Sequence, residues 1–444
     1  MYYKPSKYNL LTYDIDNNIL VVNTLENKFV KIIGNNKEYI SDLLKRQKIE
    51  KKEIEKYSFL YKNHFVIKET VEEKKIADLR YHELVYSNNI LELTIIPTDA
   101  CNFRCQYCYQ EERDNYTMTE ATADKILLFI KKNCRFYKGV NISWFGGEPL
   151  LEKEFIIWFM KKAQKICREN KVPLTAAMST NGYLLDWKCF QELVKCRVIY
   201  FQITIDGIQD SHNFQRPHMT NSDSYQRIID NLKNINQNAK GFYKIIVRMN
   251  ITKSIEKYLN TVIESFKFFS NNSKFRIHWQ FVRDFGGTQI DGFRNEIITN
   301  FDEVNCFIDA ASKNGIASLY EIYFGIGAGL CSACKNHSFI INQDAKVFKC
   351  TLAIYDDKVQ DNCVGFIDDR GNLIIEENKN ANWILRETIS DKCEDCFCYP
   401  ICFHKSCPYS RRYKKQDGCF SEKKRLAYFL RDMSRRNLID IIEV

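Results

Sequence analysis

From about residue 90 the chain alternates short apolar runs with longer stretches whose apolar residues recur every three to four positions. The runs "ILELTIIP", "VNISWFGG", "LTAAMSTNG", "VIYFQITIDG", "YKIIVRMNIT" and "FRIHWQFVRDF" have the length and β-branched content of strands. Between them, segments such as "TEATADKILLFIKKNC" and "EKEFIIWFMKKAQKICREN" carry the stripe of amphipathic helices. Six such alternations predict an α/β fold with a parallel sheet and crossover helices. Thr117 and Glu120 in "TMTE" predict a capping box opening the first helix. Ahead of this block, "ILVVNTLENKFVKII" reads as two short strands around a polar turn, followed by helical "NKEYISDLLKR" and "KKEIEKYSFLYKN" and extended "HFVIKE". That pattern predicts a small winged-helix-like unit over residues 1–85. The charged stretch from Glu69 to Asn89 carries no clear strand and reads as a linker. Residues 86–315 form the alternating block and 316–444 a third, cysteine-rich block.

Composition narrows the class. A chain of 444 residues, 45% of them hydrophobic, supports two or three domains with filled cores. It holds no run of about 18 apolar residues, and "MYYKPSKYNLLTYDIDNN" lacks the basic-then-apolar order of an export signal. The expectation is a cytoplasmic protein without a membrane partner. The formal charge of +9 fits an acidic partner, a peptide or a nucleic acid, and equally fits an ordinary solvated surface.

Cysteine changes the picture most. Eighteen cysteines in a chain expected in a reducing compartment argue for metal rather than for disulfides. Cys101, Cys105 and Cys108 lie within eight positions, Cys134, Cys167, Cys189, Cys196 and Cys306 are scattered, and ten more run from Cys331 to Cys419. The scattered five read as small core residues. In parallel βα folds ligands collect at the carboxyl ends of strands. The first three cysteines, "FGGEP", "STNG" and "TIDG" all fall there. Three thiolates on one loop can hold three irons of a [4Fe-4S] cluster and leave the fourth open, as catalytic metal sites keep one position for substrate.

The C-x3-C-x2-C spacing with Tyr107 before the last cysteine, together with "WFGGEPLL" after the next strand, resembles the radical SAM superfamily. The resemblance implies a partial (β/α)6 barrel in which S-adenosylmethionine chelates the open iron and yields a 5'-deoxyadenosyl radical. It implies that Gly146, Gly147 and Glu148 receive the methionyl amino group, that Tyr107 packs on the adenine and that Asn181 approaches the ribose. Thr204 and Arg216 are implied on the carboxylate side, a surface salt bridge being the other reading of Arg216.

"CEDCFCYPICFHKSCP" and "CSACKNHSFIINQDAKVFKC" resemble the SPASM extension of peptide-modifying radical SAM enzymes. By that resemblance Cys393, Cys396, Cys402 and Cys419 would hold one auxiliary [4Fe-4S] cluster. Cys331, Cys350 and Cys407, with Cys334 or Cys363, would hold a second. Ala345 stands where the extension usually has Gly, and four residues rather than three separate Cys402 from Cys407. Cys398 reads as a bystander, and His404 as a solvated loop residue or an iron ligand. His212, His218 and His278 lack metal-ligand spacing. No side chain stands out as a general base.

"LVVNTLENKFVKI" and "FLYKNHFVIKETVEE" resemble the leader-recognition domain of peptide-maturing radical SAM enzymes, whose edge strand accepts a peptide strand. The combined expectation is a maturase that installs a thioether or carbon-carbon crosslink in a ribosomal precursor peptide bound through its leader, with an electron donor such as flavodoxin or ferredoxin. The alternatives are an anaerobic sulfatase-maturating enzyme and a non-enzymatic, zinc-binding winged-helix regulator of nucleic acid. The regulator leaves "GGEP", "TIDG" and the six alternations unexplained.

Overall fold

The computed structural model describes all residues except 1, 111–114, 285–289, 299–301, 321–322, 357, 386–390, 405–406, 415–418 and 420. They group into two compact units, one of Ser87–Leu319 with Lys335–Ile384, the other of Met1–Tyr86 with Tyr320–Cys334 and Leu385–Val444.

The first unit is built on the six expected strands, Ile90–Ile95, Gly139–Trp144, Leu174–Thr180, Val198–Ile205, Lys244–Ile251 and Phe275–Phe281. Each pairs in parallel with the next in chain order, so the sheet is singly wound and its strand ends lie along one rim. The sheet stays open, a partial barrel. At its free edge Ser338–Ile341 joins Ile90–Ile95 in parallel and leads into antiparallel strands Lys346–Phe348, Cys363–Ile367 and Leu373–Ile375. Part of the block expected to form the cysteine-rich extension, Lys335–Ile384, therefore belongs with the core and continues its sheet. Crossover helices cover the strands because their apolar stripe has nowhere else to go. Helix Lys153–Glu169 buries Ile156, Phe159, Met160 and Ala163, and Phe159 meets Trp144 edge to face at 5.3 Å.

The first helix begins at Glu120, not at a Thr117 cap. Thr119 is the N-cap, and its hydroxyl accepts from Thr122 N–H at 3.1 Å. Thr117 instead bonds Thr98 and Glu152, tying the loop to the rim. Four of the scattered cysteines are buried as expected, whereas Cys306 is exposed.

In the second unit, strands Asn9–Tyr13, Ile19–Asn23 and Lys28–Ile33 form an antiparallel meander that Asp440–Glu443 extends in parallel. Tyr2–Pro5 pairs with Ile49–Glu50 and Val66–Lys68 in a separate small sheet. Helices Lys37–Leu43, Lys51–Lys56 and Ser58–Lys62 close the core around Ile19, Val30, Ile32, Ile40 and Leu60. The expected linker is largely helix, Glu73–Tyr86. Ala77, Tyr81 and Val85, four apart, bury one face, and the Glu73 carboxylate accepts from Ser6 and from Lys7 N–H. Heavy charge on the other faces hides that narrow stripe from a sequence reading. Among the described residues no helix is long and apolar enough to cross a membrane.

Candidate active site

The loop that follows Ile90–Ile95 is clamped from both sides before any ligand is considered. Gly147 N–H donates to Thr98 O at 3.1 Å and Glu148 N–H to Ala100 O at 2.8 Å. Gly146 has φ +133, and a Cβ on Gly147 would lie 2.1 Å from Ala100 O. The paired glycines are thus required by close approach of the chain to its own cysteine loop. From the other side, Arg104 N–H donates to Pro217 O and Gln106 N–H to Gln215 O, while Phe103 packs edge to face on His218 at 5.2 Å. His218 stacks on Tyr183 at 4.2 Å, a structural role that fits its lack of metal-ligand spacing.

Cys101, Cys105 and Cys108 line one cavity of about 430 Å³ at the carboxyl ends of the strands. Gly146, Gly147, Asn181, Thr204, Arg216 and Tyr107 line it too. Burial pushes the Cys105 thiol up to about 12, with the Arg216 cation opposing. Among the described residues no three His, Cys, Asp or Glu side chains close on a single ion. A cluster needs a wider cradle than an ion does, because each thiolate takes a different iron.

The Tyr107 hydroxyl is a hub. It donates to Asp206 and accepts from Arg216 Nη1 and Asn250 Nδ2, each at 3.0 Å, which uses its whole bonding capacity. Arg216 is only 6% exposed, so the surface salt-bridge reading fails. Its neighbours Cys105, Tyr107 and Asp206 outweigh burial and hold it cationic, and among the described residues its buried Nε has no hydrogen-bond partner. Buried His212 accepts Asp206 N–H on Nδ1, and burial followed by the Arg216 charge holds it neutral.

Glu148 is not among the cavity-lining residues. It is 1% exposed, and its carboxylate accepts from Leu150 N–H at 3.0 Å, Thr180 Oγ1 at 2.6 Å and Asn181 N–H at 2.7 Å. It thereby sets the turn that presents Asn181, whose Nδ2 donates to Asn102 Oδ1 at 2.7 Å.

Sequence reasoning missed Asp206, Arg248 and Asn250. The signal was present: Gln202, Thr204 and Asp206, and likewise Arg248 and Asn250, place polar side chains at alternate positions near the ends of otherwise apolar strands. Arg248 lines the cavity with its Nε donating to Asn250 Oδ1 at 3.0 Å.

In the same unit Thr351 and Leu352 also line the cavity, next to Cys350, whose backbone is bracketed by the Asn362 side chain. Burial, then the charges at Cys108 and Cys350, push the intervening Tyr109 phenol up. Ala345, where the sequence pattern leads to an expectation of Gly, has φ +61, a left-handed conformation that favours glycine. Cys363 is half-buried in strand Cys363–Ile367.

In the other unit Cys331 and Cys334 sit on one tight turn, with Cys334 N–H donating to Cys331 O at 3.0 Å. Cys402 is pushed up to about 12 by burial, and the charges at Cys396, Cys419 and Cys393 all bear on it. The Cys398 side-chain hydrogen bond, ahead of Lys423, holds Cys396 down to about 5. His404 is half-buried rather than solvated, with Nδ1 3.1 Å from Cys393 Sγ. Cys407 caps helix Pro408–Arg412 through Ser410 N–H. All three guanidinium nitrogens of Arg411 on that helix are buried without a hydrogen-bond partner among the described residues.

Residues 95–260 match the profile of the Radical SAM superfamily. The catalytic core is a radical SAM domain. The protein is accordingly a SAM-dependent enzyme of the iron-sulfur type, and the non-enzymatic regulator reading falls. A cysteine-type anaerobic sulfatase-maturating enzyme of Clostridium novyi is 23% identical over 350 residues, 70% of this chain and 86% of that one. A GTP 3',8-cyclase of Helicobacter pylori is 24% identical over 332 residues, 69% of this chain and 92% of that one. Among solved structures, native anSMEcpe with bound AdoMet and Cp18Cys peptide superposes with TM-score 0.61 at 18% identity, covering 79% of this chain and 99% of that one. Streptococcus suis SuiB bound to precursor peptide SuiA gives TM-score 0.50 at 17% identity, covering 90% and 95%. At these identities the superpositions establish the shared fold.

Proposed function

We propose that this radical SAM enzyme matures a ribosomally made precursor peptide, installing a thioether or carbon-carbon crosslink. The observation that carries the reading is the folded block ahead of the cysteine loop, a meander whose last strand, Lys28–Ile33, takes an added parallel strand, Asp440–Glu443, on the side away from Ile19–Asn23. Strand addition to such an edge gives a peptide affinity through its backbone while leaving its reacting residues free. The likeness to SuiB, whose structure holds a precursor peptide, reaches 90% of this chain and supports the same reading.

In this reading residues 1–85 recognise the leader, 86–315 carry the radical chemistry and 316–444 form the SPASM extension. Cys101, Cys105 and Cys108 hold the catalytic cluster. When bound, that cluster and S-adenosylmethionine supply a radical able to take a hydrogen from an unactivated carbon. The chain's own residues bind and orient. Buried Arg216 and half-buried Arg248 offer positive charge to a carboxylate, and the hub of Tyr107, Asp206 and Asn250 fixes Arg216. Glu148 sets the Asn181 turn, and Gly146 and Gly147 set the distance between the second strand's loop and the cysteines. Cys393, Cys396, Cys402 and Cys419 hold one auxiliary cluster, as the mutual influence of their charges supports. Cys331, Cys350 and Cys407 serve the other. Placement of Cys350 next to the cavity wall supports a part for that cluster in taking the surplus electron from substrate.

A second reading, sulfatase maturation, has the Clostridium novyi relative in its favour, with 86% of that chain covered. The test is substrate preference under anaerobic, reducing conditions. A leader-bearing precursor should be turned over with at least tenfold higher kcat/KM than its leaderless core or a cysteine-bearing sulfatase peptide. Equal turnover of the leaderless core, or preference for the sulfatase peptide, would exclude leader-directed maturation.

A further inference from the structure

Strand Lys28–Ile33 is covered by the chain itself. Asp440–Glu443 lies along it in parallel, pairing Asp440 with Val30, Ile441 with Lys31, Ile442 with Ile32 and Glu443 with Ile33. The pairing continues beyond the strand, with Val444 N–H donating to Ile33 O at 2.9 Å and Asn36 N–H to Val444 O at 3.3 Å. Gly34 has φ +101, and a Cβ there would lie 2.3 Å from Val444 O. The backbone at Gly34 is therefore shaped to admit a strand at that point. Ile442 and Val444, two residues apart and so on one face, pack against the core cluster that contains Val30, Ile32 and Ile40. Ile441 points the other way and is 57% exposed.

The helix before the added strand is anchored independently of it. In helix Leu426–Arg435, Arg431 Nε donates to Tyr13 O at 2.9 Å. The helix closes on itself through Asn437, at φ +54, with Leu438 N–H donating to Met433 O at 3.0 Å. Residues beyond 438 can leave the edge without opening the helix.

We propose that Asp440–Val444 is a resident strand occupying a docking edge, and that an extended peptide with β-branched aliphatic side chains two residues apart displaces it. The inference deepens the precursor-peptide reading and takes its biological partner from it. A tethered strand competes as though present at roughly millimolar concentration. A free peptide then sees an edge that is open for only a fraction of the time, and its apparent affinity falls by that fraction. The segment also displays the partner's chemistry: small branched anchors at alternate positions, no aromatic, and backbone pairing along one side.

The probe is a fluorescein-labelled peptide of Asn437–Val444, read by anisotropy against the full chain. Ile442→Lys with Val444→Lys removes both inward anchors and should unseat the resident strand. The probe should bind that variant at least tenfold more tightly than the unsubstituted protein, and adding Gly34→Val should abolish the gain. Absence of binding to the variant, with its circular dichroism and melting temperature retained, overturns the docking edge. Equal affinity for both proteins overturns the resident strand, and binding that survives Gly34→Val places the site elsewhere. Should the variant misfold, amide exchange in the unsubstituted protein decides: saturating unlabelled peptide should speed exchange at Ile441–Val444, and unchanged exchange overturns the proposal. Probe binding as predicted without turnover of any precursor would sink the maturase reading alone. Leader-dependent turnover without probe binding would sink the docking edge alone.

Discussion

Replacing Glu148 by Gln separates a carboxylate that holds the rim together from one that serves a ligand. Its Oε1 accepts from Leu150 N–H and Thr180 Oγ1, and its Oε2 from Asn181 N–H at 2.7 Å. The amide of Gln can keep the first pair on its oxygen, but its NH₂ then faces the Asn181 N–H, donor against donor. One charge-assisted bond is lost and a buried N–H is left unpaired, a cost of about 3 kcal/mol. Spread over a unit of this size, that should lower Tm by roughly 6–10 °C. Thr180→Val, which removes one donor and leaves the carboxylate two, should cost about half as much. Anaerobic calorimetry of both variants, paired with equilibrium dialysis of S-adenosylmethionine, reads the two quantities together. The account expects cofactor affinity to fall in step with Tm across the pair. A Glu148→Gln protein that melts within about 2 °C of the parent yet no longer binds cofactor would refute it.

Arg216→Lys breaks the Nη1 bond to Tyr107 and should weaken S-adenosylmethionine binding about tenfold to a hundredfold, with iron content unchanged. Gly147→Ala drives a Cβ against the Ala100 carbonyl, so reconstituted protein should lose about four irons, those of the catalytic cluster, by iron assay. His212 is held neutral in the fold, so the unfolded chain takes up the proton first; its contribution is complete above about pH 6.5 and is lost as pH falls. Between pH 7 and pH 5 the parent should therefore lose about 2 kcal/mol more stability than His212→Asn, as read by denaturant melts at each pH.

The six core strands were legible because each joins β-branched apolar residues to a polar loop, and the rim motifs because ligand chemistry concentrates at strand ends. What escaped depends on contacts distant in sequence. Glu148 could be placed at the rim, but only the fold shows its carboxylate turned onto Thr180 and Asn181. Asp206 lay inside a noticed motif, yet its bond to Tyr107 spans about a hundred residues and leaves no local trace. Strand Asp440–Glu443 is too short and too exposed to register as a strand, and its partner lies at the other end of the numbering. The same pairing bears on experiment: residues 1–68 share their core with Ile442 and Val444, so deleting that block would expose a core rather than remove a domain. Point substitutions at the edge are the cleaner probe.

The most direct test of the account is mass spectrometry of a leader-bearing precursor after anaerobic turnover, with 5'-deoxyadenosine counted in the same reaction. The account predicts a product short of two hydrogens with every sulfur retained, no fragmentation between the linked residues, and one 5'-deoxyadenosine per crosslink. Loss of sulfur from a cysteine, or 5'-deoxyadenosine released with the peptide unchanged at every leader tested, would contradict it.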